Sequence, residues 1–132
     1  MQSTNTLPEI TLGQALRTMG LAFDTHVTEL PGTPDIAFRE SRLAVFVHGC
    51  YWHRHLRCAR ARTPRTNTFL WLRRFASNVQ RDQMIVRQLR LTGWWTFVAW
   101  ECEVLENPGS VCNAIVSELG RRHSYSRSSR RR

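Results

Sequence analysis

Asp35-Ile36-Ala37-Phe38-Arg39-Glu40-Ser41-Arg42-Leu43-Ala44-Val45-Phe46-Val47-His48 is the stretch whose reading decides the fold. Asp35 to Arg39 has the apolar and aromatic content of a strand, and Glu40-Ser41-Arg42 is a short polar turn. Leu43 to Val47 is apolar without a break, the pattern of a strand covered on both faces, so it belongs at the centre of a sheet. If the two strands form a hairpin, the start of one lies beside the end of the other. Asp35 and His48 then share one edge of the sheet.

Reading outward toward the N-terminus, Pro31-Gly32-Thr33-Pro34 is a stiff loop, and Leu21 to Val27 is a first strand with Ala22 and His26 pointing opposite to Phe23. Before it, Pro8 suits the first turn of a helix, with Glu9 at the positive end. Leu12, Ala15, Leu16 and Met19 follow at helical spacing, and Gly20 is a natural stop. Toward the C-terminus, His48 to Pro64 is a loop dense in Cys, His, Arg and aromatic residues. Leu70 to Leu91 reads as a long helix with Leu72, Phe75, Ala76, Val79, Val86 and Leu89 along one face and five arginines off it. Gly93 ends that helix, Trp94 to Trp100 is a fourth strand, and Pro108 to Leu119 is a last helix with Cys112, Ile115, Val116 and Leu119 facing inward.

The order α-β-β-β-α-β-α predicts one α/β domain, a sandwich around a mixed central sheet. It spans residues 8–120. Residues 1–7 and the Arg/Ser-rich stretch 121–132 have the composition of disorder, and the latter adds non-specific affinity for phosphates.

The 132 residues carry a formal net charge of +9, and all 19 basic residues are arginine. Such a balance suits a polyanionic partner, nucleic acid above all. Arginine forks onto phosphates and guanine edges, so the lack of lysine costs nothing there. It does exclude any active site that needs a lysine. No secretory leader pattern and no run of 18 apolar residues is present, which predicts a cytoplasmic protein with no membrane partner. In a reducing cytosol, clustered cysteines read as metal ligands before disulfides.

His48-Gly49-Cys50-Tyr51-Trp52-His53-Arg54-His55-Leu56-Arg57-Cys58 is such a cluster. Cys50, His55 and Cys58 have loop spacing that fits one tetrahedral zinc, and Cys102, just past the fourth strand, is the best candidate for a fourth ligand. Four protein ligands close the sphere, so this zinc is expected to be structural and to pin a loop with little core of its own. Cys112 lies among apolar residues at helical spacing and reads as core.

Asp35 at the sheet edge can hold Mg²⁺ against a phosphate oxygen, and an imidazole beside it can orient or deprotonate a water. The layout resembles restriction-type nucleases, with Pro-Asp, a hairpin and then an acidic-x-lysine element. Here Val45-Phe46-Val47 occupies that element. His48 and His53 would have to do its work, and spacing leaves open which of them is the base.

Four pieces, in order and with few gaps, resemble the very short patch repair endonucleases: Leu30 to Asp35, Phe46 to His53, Asn78 to Asp82, and Trp100-Glu101-Cys102. The resemblance covers about Pro8 to Leu119. It implies a restriction-endonuclease-like three-layer fold with a structural zinc site. The implied activity is nicking of one strand of double-stranded DNA 5′ to the thymine of a T:G mismatch left by deamination of 5-methylcytosine. It implies Asp35 as the Mg²⁺ ligand together with the Val47 carbonyl, His48 and His53 as catalytic imidazoles, and Glu9 reaching the metal site through water. Cys50, His55, Cys58 and Cys102 match the zinc ligands. Tyr51, Trp52 and Trp71 match aromatic positions that wedge into the base stack, where rings recover stacking energy of ~1–3 kcal/mol per base.

Three features depart from the family pattern. Only eight residues precede Glu9, where the family has a segment that grips the duplex. The Cys50–Cys58 loop is one residue longer than usual. Val47 stands where a threonine is common, although a backbone contact survives that change. Single-strand nicking fits a monomer acting at the bacterial nucleoid, with mismatch-repair proteins as candidate partners. Two readings compete on the same scaffold: a DNA-binding module that no longer cuts, and a nuclease of another specificity. A zinc-stabilised protein-interaction domain is a third, and DNA affinity insensitive to salt would favour it.

Overall fold

The computed structural model describes residues 5–130, with side chains through Arg122. Its framework is α1 (Leu7–Thr18), β1 (Asp24–Thr25), β2 (Ile36–Phe38), β3 (Leu43–His48), α2 (Cys50–His53), α3 (Thr68–Leu91), β4 (Trp95–Trp100), α4 (Glu101–Glu106) and α5 (Pro108–Arg130). The sheet runs β1-β2-β3-β4. The first two pairings are antiparallel, with Ile36 opposite Val45 and Phe38 opposite Leu43. β3 and β4 are parallel, from Leu43 beside Trp95 to His48 beside Trp100. The mixed sheet and the central β3 are as the hairpin reading predicts. Leu43, Ala44 and Val45 are fully buried because β3 is paired on both sides and covered above and below.

Alternation along β3 divides the core. Leu43 and Val45 join Leu12 and Leu16 of α1, Val104 of α4, and Val111, Cys112 and Ile115 of α5. Ala44 and Phe46 meet Leu89 and Ile85 of α3 on the other face. Cys112 is 1 % exposed, a core residue as its spacing predicts.

Several boundaries and faces differ from the sequence reading. The first strand covers only Asp24–Thr25, because β2 offers three residues to pair with and His26 turns into the left-handed region at φ +47°. Leu21 and Phe23 still pack on the core. Leu72 and Ala76 of α3 are exposed; the inner face runs through Phe75, Asn78, Val79, Asp82, Ile85 and Leu89, so polar side chains share it. Val116 is exposed as well, while Leu119 packs inward. The segment 48–64, expected as a loop, contains α2 and a 3₁₀ turn at Ala59–Ala61. Glu101–Glu106 is helical where no element was expected.

The last helix does not stop at Leu119 before a disordered tail, but continues to Arg130. Glu118 pairs with both Arg121 and Arg122, and the Arg122 guanidinium sits 3.8 Å from the Trp95 ring centre, so this turn has partners of its own. At the other end the chain is tied before Pro8: helix α1 starts at Leu7, and the Asn5 N–H donates to Glu9 Oε2 at 2.8 Å. Residues 1–4 and 131–132 of the two termini expected to be disordered lie outside the described residues. Among the described residues, no helix is long and apolar enough to cross a membrane.

Candidate active site and metal centre

The parallel pairing of β3 with β4 decides where the chemistry sits. Both strands end at the same edge, at His48 and Trp100, and the next turns carry Cys50 and Cys102. Carboxyl ends of parallel strands are the usual place for a site in open α/β sheets.

Cys50, His55, Cys58 and Cys102 each offer one ligand atom, all within 4.8 Å of one another. Cys102 Sγ lies 3.5 Å from His55 Nδ1, and the His55 ring stacks on Trp100 at 4.3 Å. The Cys50 N–H donates to Glu101 Oε1 at 3.3 Å, which ties α2 to α4. Burial pushes the Cys50 thiol up to about 12 and also raises Cys102. Cys58 is lowered, because hydrogen bonds from the Arg60 backbone and from the neighbouring thiols outweigh its own burial. Three sulfurs crowded together in this way, with an imidazole alongside, fit a soft or borderline cation in a closed four-ligand sphere.

A second group lies at the β2–β3 edge. Asp35 Oδ2 accepts the Val47 N–H at 2.7 Å, so the carboxylate is aimed at the end of β3. The Val47 carbonyl shares that edge, since the N–H and C=O of one strand residue point the same way. Glu9 from the first turn of α1 and His26 complete a cluster with Asp35 whose ligand atoms lie within 4.8 Å. Burial pushes the Asp35 carboxyl up to about 6. The Val47 N–H pulls it down, the Glu9 charge pushes it up, and His26 opposes Glu9. Two carboxylates and a backbone carbonyl make a hard-oxygen set that fits Mg²⁺.

Across the same cleft, the His48 and His53 rings stack at 3.9 Å, nearly parallel. His53 Nδ1 lies 2.6 Å from Asp82 Oδ2 of α3. With Nδ1–H donating to the carboxylate, Nε2 is left as the basic nitrogen. Burial, and then the proximity of His53, push His48 down to about 4, so it is neutral at neutral pH. Asp35, His48, His53 and Asp82 line one cavity of about 320 Å³, together with Arg81 and Asn78.

Beside it lies a larger cleft of about 790 Å³, lined by Trp52, Trp71, Arg73, Arg74 and Arg81 among others. Trp52 and Trp71 of its lining meet at 5.8 Å, and they join a larger aromatic group: Tyr51 meets Trp52 at 5.1 Å and Phe75 at 5.3 Å. Arg54 braces the group: its guanidinium lies 3.9 Å from the Phe75 ring centre and donates to the carbonyls of Tyr51 and Ala61.

Gly32 explains how the loop before Asp35 comes so close to α3. It has φ +75°, and a Cβ there would stand 2.6 Å from Ile85 Cγ2. Only glycine combines that conformation with that approach.

Residues 1–60 match the family model for the DNA mismatch endonuclease Vsr. The type II nicking enzyme V.XorIIP of Xanthomonas oryzae pv. oryzae is 39% identical over 104 residues, which is 79% of this chain and 76% of that protein. The DNA mismatch endonuclease Vsr of Escherichia coli is 39% identical over 98 residues, or 74% of this chain and 62% of the relative. The type II nicking enzyme V.NmeAIP of Neisseria meningitidis is 31% identical over 121 residues, 92% of this chain and 84% of that one. The chain belongs to the Vsr family of DNA mismatch endonucleases.

In this Vsr-family chain, two site residues escaped the sequence reading. Asp82 stood only in a matching run, although its position three residues after Val79 and three before Ile85 puts it on the inner face of α3. The sequence places His26 on one side of a strand, and no local pattern marks its left-handed backbone. The other residues expected at the site fall into the three groups above, and Tyr51, Trp52 and Trp71 meet ring to ring, with Trp52 and Trp71 lining the larger cleft.

Proposed function

We propose that the chain nicks one strand of duplex DNA 5′ to the thymine of a T:G mismatch, as a Mg²⁺-dependent hydrolase that initiates short patch repair. The observation that carries this reading is the Asp35–Val47 contact facing the stacked His48–His53 pair, with the Tyr51–Trp52–Trp71 wall beside it.

Asp35 and the Val47 carbonyl would hold the divalent cation, with Glu9 next to them. When bound, the cation supplies Lewis-acid stabilisation of the charge that builds on the phosphate. His53, backed by Asp82, takes a proton from the attacking water at Nε2. His48 stays neutral and orients a phosphate oxygen or the water by a hydrogen bond. Arg73, Arg74 and Arg81 face the cleft where the sugar–phosphate backbone would run. Tyr51, Trp52 and Trp71 wedge into the step beside the mismatch, which costs less to unstack than a paired one.

The four-ligand cluster holds a structural zinc in this proposal, and the fold is the three-layer, restriction-endonuclease-like sandwich. The packing of α1 and α5 on one face and α3 on the other supports that architecture. The protein acts as a monomer, alone or with mismatch-repair proteins.

The test is strand-resolved cleavage of a T:G oligonucleotide by wild type, Asp35→Ala and His53→Ala, beside matched and hemimethylated duplexes. Nicking of the thymine strand alone, lost in Asp35→Ala, is the expected result. Binding without nicking by wild type would instead make this a recognition module.

A further inference from the structure

His26 stands out because nothing in the mechanism above uses it. It is a non-glycine residue held at φ +47°, a backbone conformation that side chains with a Cβ adopt rarely. Such outliers persist where surrounding contacts fix them, and they concentrate at functional sites. Two contacts fix this one. The His26 N–H donates to the Asp35 carbonyl at 3.1 Å, and Nε2 lies 3.2 Å from Glu9 Oε2. The backbone bond ties residue 26 to the residue that begins the cation site, and the ring reaches the carboxylate on α1. Thr33, two residues before Asp35, is also left-handed at φ +48°.

The Glu9 carboxylate needs such a partner. It comes from a different element than Asp35, and two carboxylates within 4.8 Å of each other repel when both are ionised. The Asn5 N–H also bonds to Oε2, so donors converge on that one oxygen from the loop and from the chain start. Glu9, His26, Asp35 and Val47 line one open cleft together.

We propose that His26 is a positioning residue for the divalent-cation site. Its imidazole anchors one oxygen of Glu9, turns the other toward Asp35, and thereby sets the affinity for the cation without touching the reacting phosphate. This inference rests on the reading that Asp35 holds the cation. Partners that orient metal-site carboxylates typically contribute ~10–100-fold to metal affinity.

The experiment measures Mn²⁺ binding to the full, zinc-loaded chain without DNA, by calorimetry, and the Mn²⁺ dependence of nicking. His26→Asn tolerates the left-handed backbone but is too short to reach Glu9. It is expected to fold, to bind Mn²⁺ about tenfold more weakly, and to need about tenfold more Mn²⁺ for half-maximal nicking, with kcat at saturating metal close to wild type. His26→Gln, which can reach and donate, is expected to recover most of the affinity. Wild-type Mn²⁺ affinity in His26→Asn, or no recovery in His26→Gln, overturns the proposal. Asp35→Ala separates the two levels. If it still binds Mn²⁺ as wild type does, the cation-site reading itself fails; if it loses Mn²⁺ while His26→Asn does not, only the role of His26 fails.

Discussion

The two faces of the sheet are built on different principles. On the α1/α5 face, Leu12, Leu16, Leu43, Val45, Val104 and Ile115 are all fully buried, a dense apolar layer. On the α3 face, the buried apolar residues are Ala44, Phe46, Phe75 and Leu89, and much of the remaining contact is aromatic or polar. The first face stabilises the fold. The second keeps Asp82, Asn78, His48 and His53 within reach of a cleft, with Arg54 bracing its aromatic residues. A site for a polyanion needs polar groups and room, and both are incompatible with close apolar packing on the same surface.

The contrast can be broken most strongly by removing the clamp. If Cys50, His55, Cys58 and Cys102 hold the proposed zinc, binding worth on the order of 10 kcal/mol is at stake, so chelation should dismantle the 48–64 loop. Near-UV circular dichroism from Trp52 and Trp71 should collapse and nicking should cease, while helical signal from the α1/α5 face largely persists. An unfolding midpoint indifferent to chelator would contradict the clamp.

Next in size, Asp35→Ala should lower the nicking rate by roughly a thousandfold or more, since metal-ion catalysis supplies several kcal/mol of transition-state stabilisation. The melting temperature should barely fall. Leu16→Ala does the reverse: it should cost about 2–5 kcal/mol of stability, read from denaturant titration, with the rate of the folded fraction unchanged. If both variants lost activity and stability together, the division between faces would not hold.

Smaller effects sharpen the picture. Asp82→Asn keeps the shape of the contact with His53 but removes the charge that supports a protonated ring. A drop of roughly 10²-fold in kcat is expected, with DNA affinity unchanged, as single-turnover kinetics would show. Phe69→Ala, at a side chain 71 % exposed, should change stability by less than about 0.5 kcal/mol. A large loss there would mean that the start of α3 has an unrecognised packing partner.

The sequence alone determined the central strand, because an unbroken apolar run such as Leu43–Val47 is stable only when covered on both faces. It also determined the core of the Cys/His cluster, because Cys50, His55 and Cys58 sit within one loop and their spacing is a local property. The same holds for the hairpin edge shared by Asp35 and His48, which follows from register. Tertiary structure decided what depends on distant elements meeting. Asp82 comes from α3 and Glu9 from α1, and no spacing rule links either to β3. The inner face of α3 rotated away from Leu72 and Ala76, since a helix buries what its neighbours accommodate, and here the neighbours are the polar groups of a site. The left-handed turn at His26 and the first turn of α5 past Leu119 both carry contacts that no local pattern announces, with Glu9 in one case and with Trp95 in the other.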